Sequence, residues 1–562
     1  MRALILVVLV ALVAFAGCTG SVPGTGPGTT PTPTGTSSPS GPPPTEWASP
    51  SYDLAGSRFA PDAGIAADNI AELGLAWRFD TDGAVTGTPT VADGRVYVAT
   101  WQGSVYSIDL ATGGQVWRHD HGAQVDATVT LWEDLAFFGD ARGVLTALDA
   151  GTGAVRWSVR VDETTSAHLY ASPVVADGVL IQPVASDQES ARIHGDRPVD
   201  FRGKVVALDP RTGDEEWRTF LVPEGRTGAP VWGGVVVVDG LVVFGTGNAY
   251  TEPADPMTDA VVALHLSNGT VAWSFQATKD DVFTQRNPVS PDHDFGSTPS
   301  VFTADDGRRL VGIGQKSSIY WAIDARLGEV VWTHGEVRAG EGIIADSAAG
   351  QERVIVNQVT LKTTTALSPA GEALWRYDAG STLLADPALV PGAVLVGDAE
   401  GDVVALALDD GRVLWNATTG GAGGVFGGLA VAGGHVLVPT VPDGYLGPAG
   451  SVLAFAPGGR GVVSTGGPSA PDADVLLKDF AFAPAEIRVT AGEPVRWANA
   501  DGIHHTVTSG WDDGATFDLE AGADGTVEWT FTEPGTYTVY CKPHASKQDG
   551  EWRGMVGRVV VE

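Results

Sequence analysis

The chain has 562 residues, and its 34 Lys and Arg against 68 Asp and Glu give a formal net charge of −34 at pH 7. Such a charge excludes binding to nucleic acid or to an anionic membrane through bulk electrostatics. A hydrophobic content of 43% with 74 glycines favours a folded, turn-rich protein over a disordered one. Only seven of the basic residues are lysine, and because such acidic surfaces suit concentrated salt, we expect a halophilic source.

The N-terminus predicts export. Residues 1–17 form an apolar run after Arg2 that is too short for a comfortable membrane span. The run ends in Phe-Ala-Gly-Cys, which resembles the lipobox of bacterial and archaeal lipoproteins and implies cleavage before Cys18, with a lipid on its sulfur. An uncleaved anchor or a plain secretion signal is the alternative. We expect a signal peptide over 1–18 and a protein on the extracytoplasmic face of the cell membrane, touching it only through the lipid.

Residues 19–45 consist almost wholly of Gly, Ser, Thr and Pro. A segment of this composition cannot bury a hydrophobic core, so it predicts a disordered tether. The remaining cysteine, Cys541, lies at the opposite end of the chain from Cys18, and each has a better use than pairing with the other. A structural disulfide framework is therefore excluded.

From Trp77 onward the chain repeats one pattern: a strand, a turn of the type Asp-x-x-Thr-Gly, and a second strand that carries a tryptophan. Successive tryptophans are separated by 40, 40, 60, 56, 59, 43 and 40 residues. A period near 40 with short strands is typical of a β-propeller with one four-stranded blade per repeat. We predict eight blades over residues 46–467, with the tryptophans packed between neighbouring blades. These are Trp77, Trp117, Trp157, Trp217, Trp273, Trp332, Trp375 and Trp415.

Three consecutive repeats, between Trp157 and Trp332, are 16 to 20 residues longer than the others. The extra residues must form loops at one end of the propeller, where binding sites are usually built. We therefore expect the functional residues of the propeller in this part of the chain.

After the linker-like segment near residue 467 the pattern changes. Residues 472–562 alternate in polarity over short strands with turns of the Greek-key type, which predicts a separate small β-sandwich. The predicted fold class is thus all-β, an eight-bladed propeller followed by a sandwich.

The blade pattern, the count of eight and the start WASPSYDLAGSRFAPD resemble the pyrroloquinoline-quinone (PQQ) dependent alcohol dehydrogenases, and most nearly their polyvinyl-alcohol dehydrogenase branch. The resemblance covers roughly residues 46–460. Its informative motifs lie in the long repeats, namely FRGKVVALD, VFGTGNAY, WSFQAT, DHDFGSTP and GQKSSIYWAID. It implies a quinoprotein-like propeller with PQQ and Ca²⁺ as cofactors and an alcohol as substrate.

Quinone chemistry of this kind needs a cation to polarise the carbonyl and a carboxylate to accept the alcohol proton. The resemblance implies Asp294 of DHDFG as the base, able also to touch the metal, with Asp292 as the nearest rival. Asn248 of GTGN would ligate Ca²⁺ through its amide oxygen, which suits a hard cation. Glu189 is the best candidate for a second Ca²⁺ carboxylate, although its local match is poor.

The same resemblance assigns the contacts to the ring. Lys316 would hydrogen-bond the quinone oxygens, Trp232 would form the floor beneath the ring, and Ser172 is a further candidate contact. Structural interpretations stay open for each residue: GTGN suits a strand-end turn, an Asp-rich loop suits a solvated surface, Lys316 could pair with any acid, and Trp232 could pack.

The chain departs from the family pattern in two ways. It has no vicinal cysteine pair of the kind that many of these dehydrogenases place beside the quinone. It also lacks Cys-x-x-Cys-His, so the haem c domain that is common in the polyvinyl-alcohol branch is absent. Electrons would need another outlet.

The C-terminal segments VRWANADGIHHTVTS and GTYTVYCKPHASKQDGEWRGMVGRVVV resemble the plastocyanin, halocyanin and pseudoazurin group of cupredoxins. A blue, type 1 copper site needs a thiolate, two imidazoles and a weak axial thioether. The residues that match are His505, Cys541, His544 and Met555, with His504 as a competitor of His505. Ten residues separate His544 from Met555 where the family has only a few, so Met555 is the least secure ligand.

Three hypotheses follow. In the leading one, an exported, lipid-tethered quinoprotein oxidises an alcohol and passes electrons through its own copper domain to an external redox carrier. In the second, the propeller is a protein-binding scaffold like that of assembly factors with the same repeats, and copper is the only redox centre. The third, copper sensing or storage, has the least support.

Overall fold

A computed structural model describes residues 46–189, 199–284, 290–338, 340–442, 450–459, 474–478, 480–499, 504–509, 517–522, 526–548 and 551–562. The predicted signal peptide, Cys18 and the predicted tether lie outside these residues, as does the linker near residue 467. None of the described helices is long and apolar enough to cross a membrane.

The described chain is almost entirely β-structure, which confirms the predicted fold class. Its N-terminal part forms eight antiparallel sheets, the blades of a propeller, of which seven have four strands and blade 3 has a fifth. From inner to outer strand, blades 1 to 8 are Thr90–Ala92, Arg95–Ala99, Ser104–Asp109 and Gln115–Asp120; Thr130–Trp132, Leu135–Gly139, Val144–Asp149 and Val155–Arg160; Val174–Ala176, Val179–Ser186, Lys204–Leu208 and Glu215–Phe220; Val236–Val238, Leu241–Gly245, Ala260–His265 and Val271–Gln276; Ser300–Thr303, Arg309–Gly314, Tyr320–Asp324 and Val330–His334; Ala348–Gly350, Arg353–Gln358, Thr363–Leu367 and Ala373–Asp378; Ala388–Val390, Ala393–Gly397, Asp402–Ala407 and Val413–Thr418; Ala430–Ala432, His435–Thr440, Ser451–Pro457 and Leu73–Asp80.

Three short elements complete the propeller: the 3₁₀ helices Ile70–Glu72 and Asp187–Glu189, and the strand Ala167–His168, which extends blade 3. Blade 8 closes the ring, because its outer strand Leu73–Asp80 comes from the beginning of the propeller and pairs with Ser451–Pro457 from its end. The ends of the propeller sequence are thereby held in one sheet.

The eight repeat tryptophans join the blades. Each indole Nε1 donates a hydrogen bond of 2.8–3.0 Å to a backbone carbonyl of the next blade, and Trp415 of blade 7 completes the circle on Leu73 of blade 8. The other seven carbonyls lie in the turns that precede the outer strands: Leu110, Ala150, Pro210, Leu266, Ala325, Pro369 and Leu408.

The turn glycine of the repeat is required for two reasons, as Gly153 illustrates. Its φ of +74° is a conformation that favours glycine, and a Cβ at this position would lie 2.7 Å from the Trp117 ring of the preceding blade. The same relation recurs at six further glycines, Gly113, Gly213, Gly269, Gly328, Gly371 and Gly411. The repeat therefore encodes an interlocking contact as well as a turn.

The C-terminal part is a sandwich of two sheets around one core, as the sequence predicts. One sheet contains Ala481–Ala483, Val475–Lys478, Pro494–Asn499 and Thr526–Thr530. The other contains Glu486–Val489, Glu551–Val561, Gly535–Gln548, His505–Ser509 and Phe517–Ala521.

The antiparallel blade geometry defines one end of the propeller, here called the site end. Inner strands begin there and second strands finish there, because the two strands are antiparallel neighbours. Trp232 precedes the inner strand of blade 4, and Asn248 follows the second strand of that blade. Asp294 precedes the inner strand of blade 5, and Lys316 follows the second strand of that blade. The sequence-predicted residues therefore share one end.

Replacing Gly153 by Ala is expected to destabilise the propeller by about 1–3 kcal/mol beyond the cost of its backbone strain, because the added methyl overpacks Trp117. The matched control is Gly178→Ala: Gly178 has φ +80°, and a Cβ there would meet nothing within 4 Å. Denaturant unfolding of both variants measures the difference. Equal losses of stability would contradict the interlocking contact.

Candidate copper and quinone sites

Three of the predicted copper ligands lie together in the sandwich. The Nδ1 atoms of His505 and His544 are 3.0 Å apart, and Cys541 Sγ lies 3.5 Å from the first and 3.2 Å from the second. Among the described residues these three form the one cluster of His, Cys and acidic side chains with metal-binding spacing. The strands His505–Ser509 and Gly535–Gln548 position them as neighbours in one sheet.

The surroundings of these ligands are apolar. Cys541 is fully buried, and Met555, 1% exposed, shares its hydrophobic core. Burial raises the pKa of the Cys541 thiol to about 12, so a metal that binds its thiolate must displace a proton. Burial also lowers the pKa of His544 well below its usual range, which leaves its imidazole neutral and able to ligate. The donor set fits a type 1 copper ion.

Two further residues support the cluster. The Thr506 backbone N–H donates to Cys541 Sγ at 3.3 Å. Phe480 packs edge-on against both imidazoles, with its ring centroid 5.6 Å from that of His505 and 4.7 Å from that of His544. Thr506 and Phe480 are not ligands themselves, but their contacts restrict the orientation of the three ligand side chains, as surrounding residues commonly do at metal sites.

The second site is a buried charged cluster at the site end of the propeller. Lys316 Nζ lies 3.0 Å from Asp294 Oδ1 and 3.2 Å from Asp292 Oδ1. Asn248 donates from Nδ2 to Asp292 Oδ1 at 2.8 Å. The Lys316 backbone N–H donates to the Asp294 carbonyl at 3.1 Å. Blades 4 and 5 thus bring together four of the polar residues that the sequence selects.

Several buried oxygen atoms of this cluster form no hydrogen bond within the described part of the chain. Asn248 Oδ1, Asp294 Oδ2 and both carboxylate oxygens of Asp259 have no hydrogen-bond partner among the described residues. Burial raises the pKa of Asp294 to about 7 and that of Asp259 well above its usual range. An unpaired buried carboxylate is costly unless it binds a proton or a cation. Oxygen donors of this kind fit a hard cation such as Ca²⁺.

Trp232 lies directly beside the charged cluster. A Cβ on Gly247 would sit 2.7 Å from Trp232 Nε1 and 3.1 Å from Asp294 Oδ2, so the indole and the carboxylate meet over this glycine. Trp232 Nε1 itself is buried without a hydrogen-bond partner among the described residues. Its ring also lies 5.2 Å from Tyr170, centroid to centroid.

A buried ionic network supports that aromatic pair. Tyr170 stacks on His168 at 3.5 Å between centroids, and His168 binds Asp126 at 2.5 Å and Asp187 at 2.9 Å. Burial lowers the pKa of His168, but the two carboxylates outweigh it and raise the pKa to about 9. Tyr170 also donates from its hydroxyl to Asp187 Oδ1 at 2.8 Å, so His168 and Asp187 together position its ring beside Trp232.

A cavity of about 250 Å³ opens next to Trp232. Ser172, Tyr170, Thr298 and Asp346 are among its lining residues. Ser172 Oγ accepts the Thr128 backbone N–H at 2.9 Å, so it has a structural role at the wall. Trp232 lines this cavity and also packs over Gly247 beside Asp294, so it connects the cavity to the charged cluster.

The sequence alone did not single out three acidic residues of this region: Asp259, Asp281 and Glu341. Asp281 accepts the backbone N–H of His293, and burial raises the pKa of both Asp281 and Glu341 to about 7. Asp259 stands directly before the strand Ala260–His265, whereas Asp281 and Glu341 lie in the loops that precede the inner strands of blades 5 and 6. For Glu189, the structure describes the backbone at the end of Asp187–Glu189, whereas its side chain lies outside the described part.

Three known families match parts of the chain. The family described as "Glucose/ethanol/alcohol dehydrogenase, beta-propeller domain" matches residues 47–351, more than half of the chain. The family of the outer membrane protein assembly factor BamB matches residues 315–458. The family "Copper binding proteins, plastocyanin/azurin family" matches residues 472–562.

Individual related proteins are consistent with these family matches. A polyvinylalcohol dehydrogenase of Pseudomonas sp is 29% identical over 72% of this chain and 74% of its own length, and one of Sphingopyxis sp. is 26% identical over 72% and 73%. The structure of the quinohemoprotein alcohol dehydrogenase ADHIIG of Pseudomonas putida has the same fold, with a TM-score of 0.64 at 20% identity over 76% of this chain and 82% of that one. The chain therefore belongs to the PQQ alcohol dehydrogenase β-propeller family and carries a plastocyanin/azurin-type domain at its C-terminus.

Proposed function

We propose that this protein is an exported, lipid-tethered quinoprotein that oxidises an alcohol at a PQQ–Ca²⁺ site and passes the electrons through type 1 copper to an external one-electron carrier. The observation that carries the proposal is the buried cluster of Asp294, Lys316 and Asn248, with its unpartnered oxygens, in the same compact unit as the Cys541 thiol and its two imidazoles. The relatives' alcohol dehydrogenase activity supports it.

Each residue of the cluster has a role in this chemistry. Asp294 accepts the alcohol proton, because its oxygens face the site and its neighbour Lys316 favours the ionised form. Asn248 Oδ1 and Asp294 would hold the cation, and Trp232 would support the ring. Lys316, 15% exposed, presents a positive charge to developing negative charge on an oxygen. Asp292 holds Lys316 and Asn248 in place.

The electron balance requires two transfers per turnover. When bound, the quinone supplies the two-electron acceptor and its cation polarises the carbonyl, whereas copper accepts one electron at a time. Oxidation of one alcohol to a carbonyl therefore releases two protons and reduces two equivalents of the external carrier. The lipid on Cys18, the extracytoplasmic location and the halophilic source belong to the same proposal.

Asp294→Asn is expected to lower kcat by about 10²- to 10⁴-fold, because the amide cannot accept the proton. The blue copper band should be unchanged, since Asp294 is not part of the sandwich. The control is Asp280→Asn, which removes an exposed carboxylate twelve residues before the DHDFG segment and should leave the rate unaltered. Full activity of Asp294→Asn, measured with PQQ, Ca²⁺ and an artificial electron acceptor, would exclude this base.

The effect of PQQ and Ca²⁺ on thermal stability distinguishes an enzyme from a propeller that serves only as a protein-binding scaffold. PQQ with Ca²⁺ should raise the melting temperature of the wild type, since a ligand that binds only the folded state stabilises it by about 2.7 kcal/mol at 100 times its Kd. Asn248→Ala should weaken this stabilisation because it removes a cation ligand. A melting temperature that PQQ and Ca²⁺ leave unchanged would favour the protein-binding scaffold.

Cys541→Ser is expected to abolish the intense blue band of the copper-loaded protein, because the thiolate is the origin of the colour. Met555→Leu is its matched control: the band should persist, since an axial thioether is a weak ligand. Visible and electron paramagnetic resonance spectra measure both. Persistence of the band in Cys541→Ser would place the copper elsewhere.

A further inference from the structure

The sandwich touches the propeller at the site end, beside its copper ligands. His544 Nε2 lies 3.7 Å from Glu341 Oε1, and the two side chains are 7% and 15% exposed. A narrow cleft between the domains is lined by Asp292 and Glu341 from the propeller and by Pro543 and His544 from the sandwich. Asp292 is the same carboxylate that pairs with Lys316. The copper ligand therefore faces the charged cluster directly.

An apolar contact accompanies this polar one. Phe480 of the sandwich packs against a propeller cluster that contains Phe426 and Val441. Phe426 also lines the cavity beside Trp232. Since Phe480 also packs edge-on against the imidazole of His544, one aromatic side chain contacts the copper-ligand cluster and the propeller cluster that includes Phe426. This contact holds the His544 edge against the propeller.

The orientation of His544 decides what Glu341 can do. Nδ1 points toward Cys541 Sγ and the Nδ1 of His505, so Nδ1 is the atom available to a metal. A neutral imidazole that ligates through Nδ1 carries its proton on Nε2, the atom that faces Glu341. At 3.7 Å the contact is electrostatic, and it acts in a buried, weakly screened environment. Carboxylates that face the second nitrogen of a ligating histidine commonly tune the metal.

We propose that Glu341 of the propeller is a positioning residue for the copper site, which orients His544 across the domain interface and lowers the copper reduction potential through its negative charge. The proposal rests on copper binding at Cys541, which is part of the proposed function. A negative charge near the copper stabilises the more positive, oxidised ion over the reduced one. Glu341 also lies within the field of Lys316 and Asp292, so it links the electrostatics of the two sites.

The test is a spectroelectrochemical titration of the full-length, copper-loaded protein without PQQ or alcohol. Glu341→Gln should retain the blue band and shift the reduction potential upward. The matched control is Glu336→Gln in the same loop, whose side chain is 84% exposed, and its potential should remain that of the wild type. Equal potentials for Glu341→Gln and the wild type would overturn the proposal.

A second variant addresses the case in which the first substitution abolishes copper binding or folding. If Glu341→Gln fails to bind copper or to fold, Glu341→Asp, which keeps the charge, should restore the blue band with a potential near that of the wild type. Failure of this rescue would also overturn the proposal. The outcome is separable from the proposed function: alcohol that does not bleach the copper in the PQQ-loaded wild type would refute internal electron transfer, whatever the potentials are.

Discussion

The hydrogen bond from each repeat indole to the next blade's carbonyl is the contact on which the rest of the molecule depends. A single blade has two exposed edges and cannot bury its own faces. Trp415 makes the bond that joins blade 7 to Leu73, and thereby turns a row of sheets into a ring. Because the pairing of Leu73–Asp80 with Ser451–Pro457 spans almost the whole propeller, the ring closes only when all blades are in place.

Ring closure makes the charged cluster at the site end possible. Asn248 and Lys316 belong to different blades, and each follows a second strand that finishes at the same end. Their approach to Asp292 is set by the angle between neighbouring blades, which the interlocked tryptophans and glycines determine. The enlarged repeats then supply the loops that carry DHDFG into the centre. Each repeat therefore has two parts. Its strands, tryptophan and turn glycine pack alike in neighbouring blades, whereas its loops differ in length and carry the site residues.

Buried charge is concentrated where the two domains meet. The chain has 34 more acidic than basic residues, and most of those acids lie in solvent, where charge costs little. At the site end, however, Asp259, Asp294 and Glu341 are buried near a single Lys316, and burial raises the pKa of each. Such a region is stable only if protons or cations compensate the carboxylates. His544 of the Cys541 cluster lies at its edge, 3.7 Å from Glu341, so the two candidate sites share one electrostatic field.

The sequence by itself determined the blade count, the sandwich and the identity of most candidate residues, because repeat period, strand alternation and ligand spacing are local properties. Cys541 and His544 are three residues apart, and DHDFG is one short segment. Tertiary structure alone decided what surrounds them. Asp259 and Glu341 joined the charged cluster, and Phe480 came to pack against the propeller, through contacts between blades and between domains. No local pattern records such contacts, since they depend on how far each blade turns from the last and on which face of the sandwich meets the propeller.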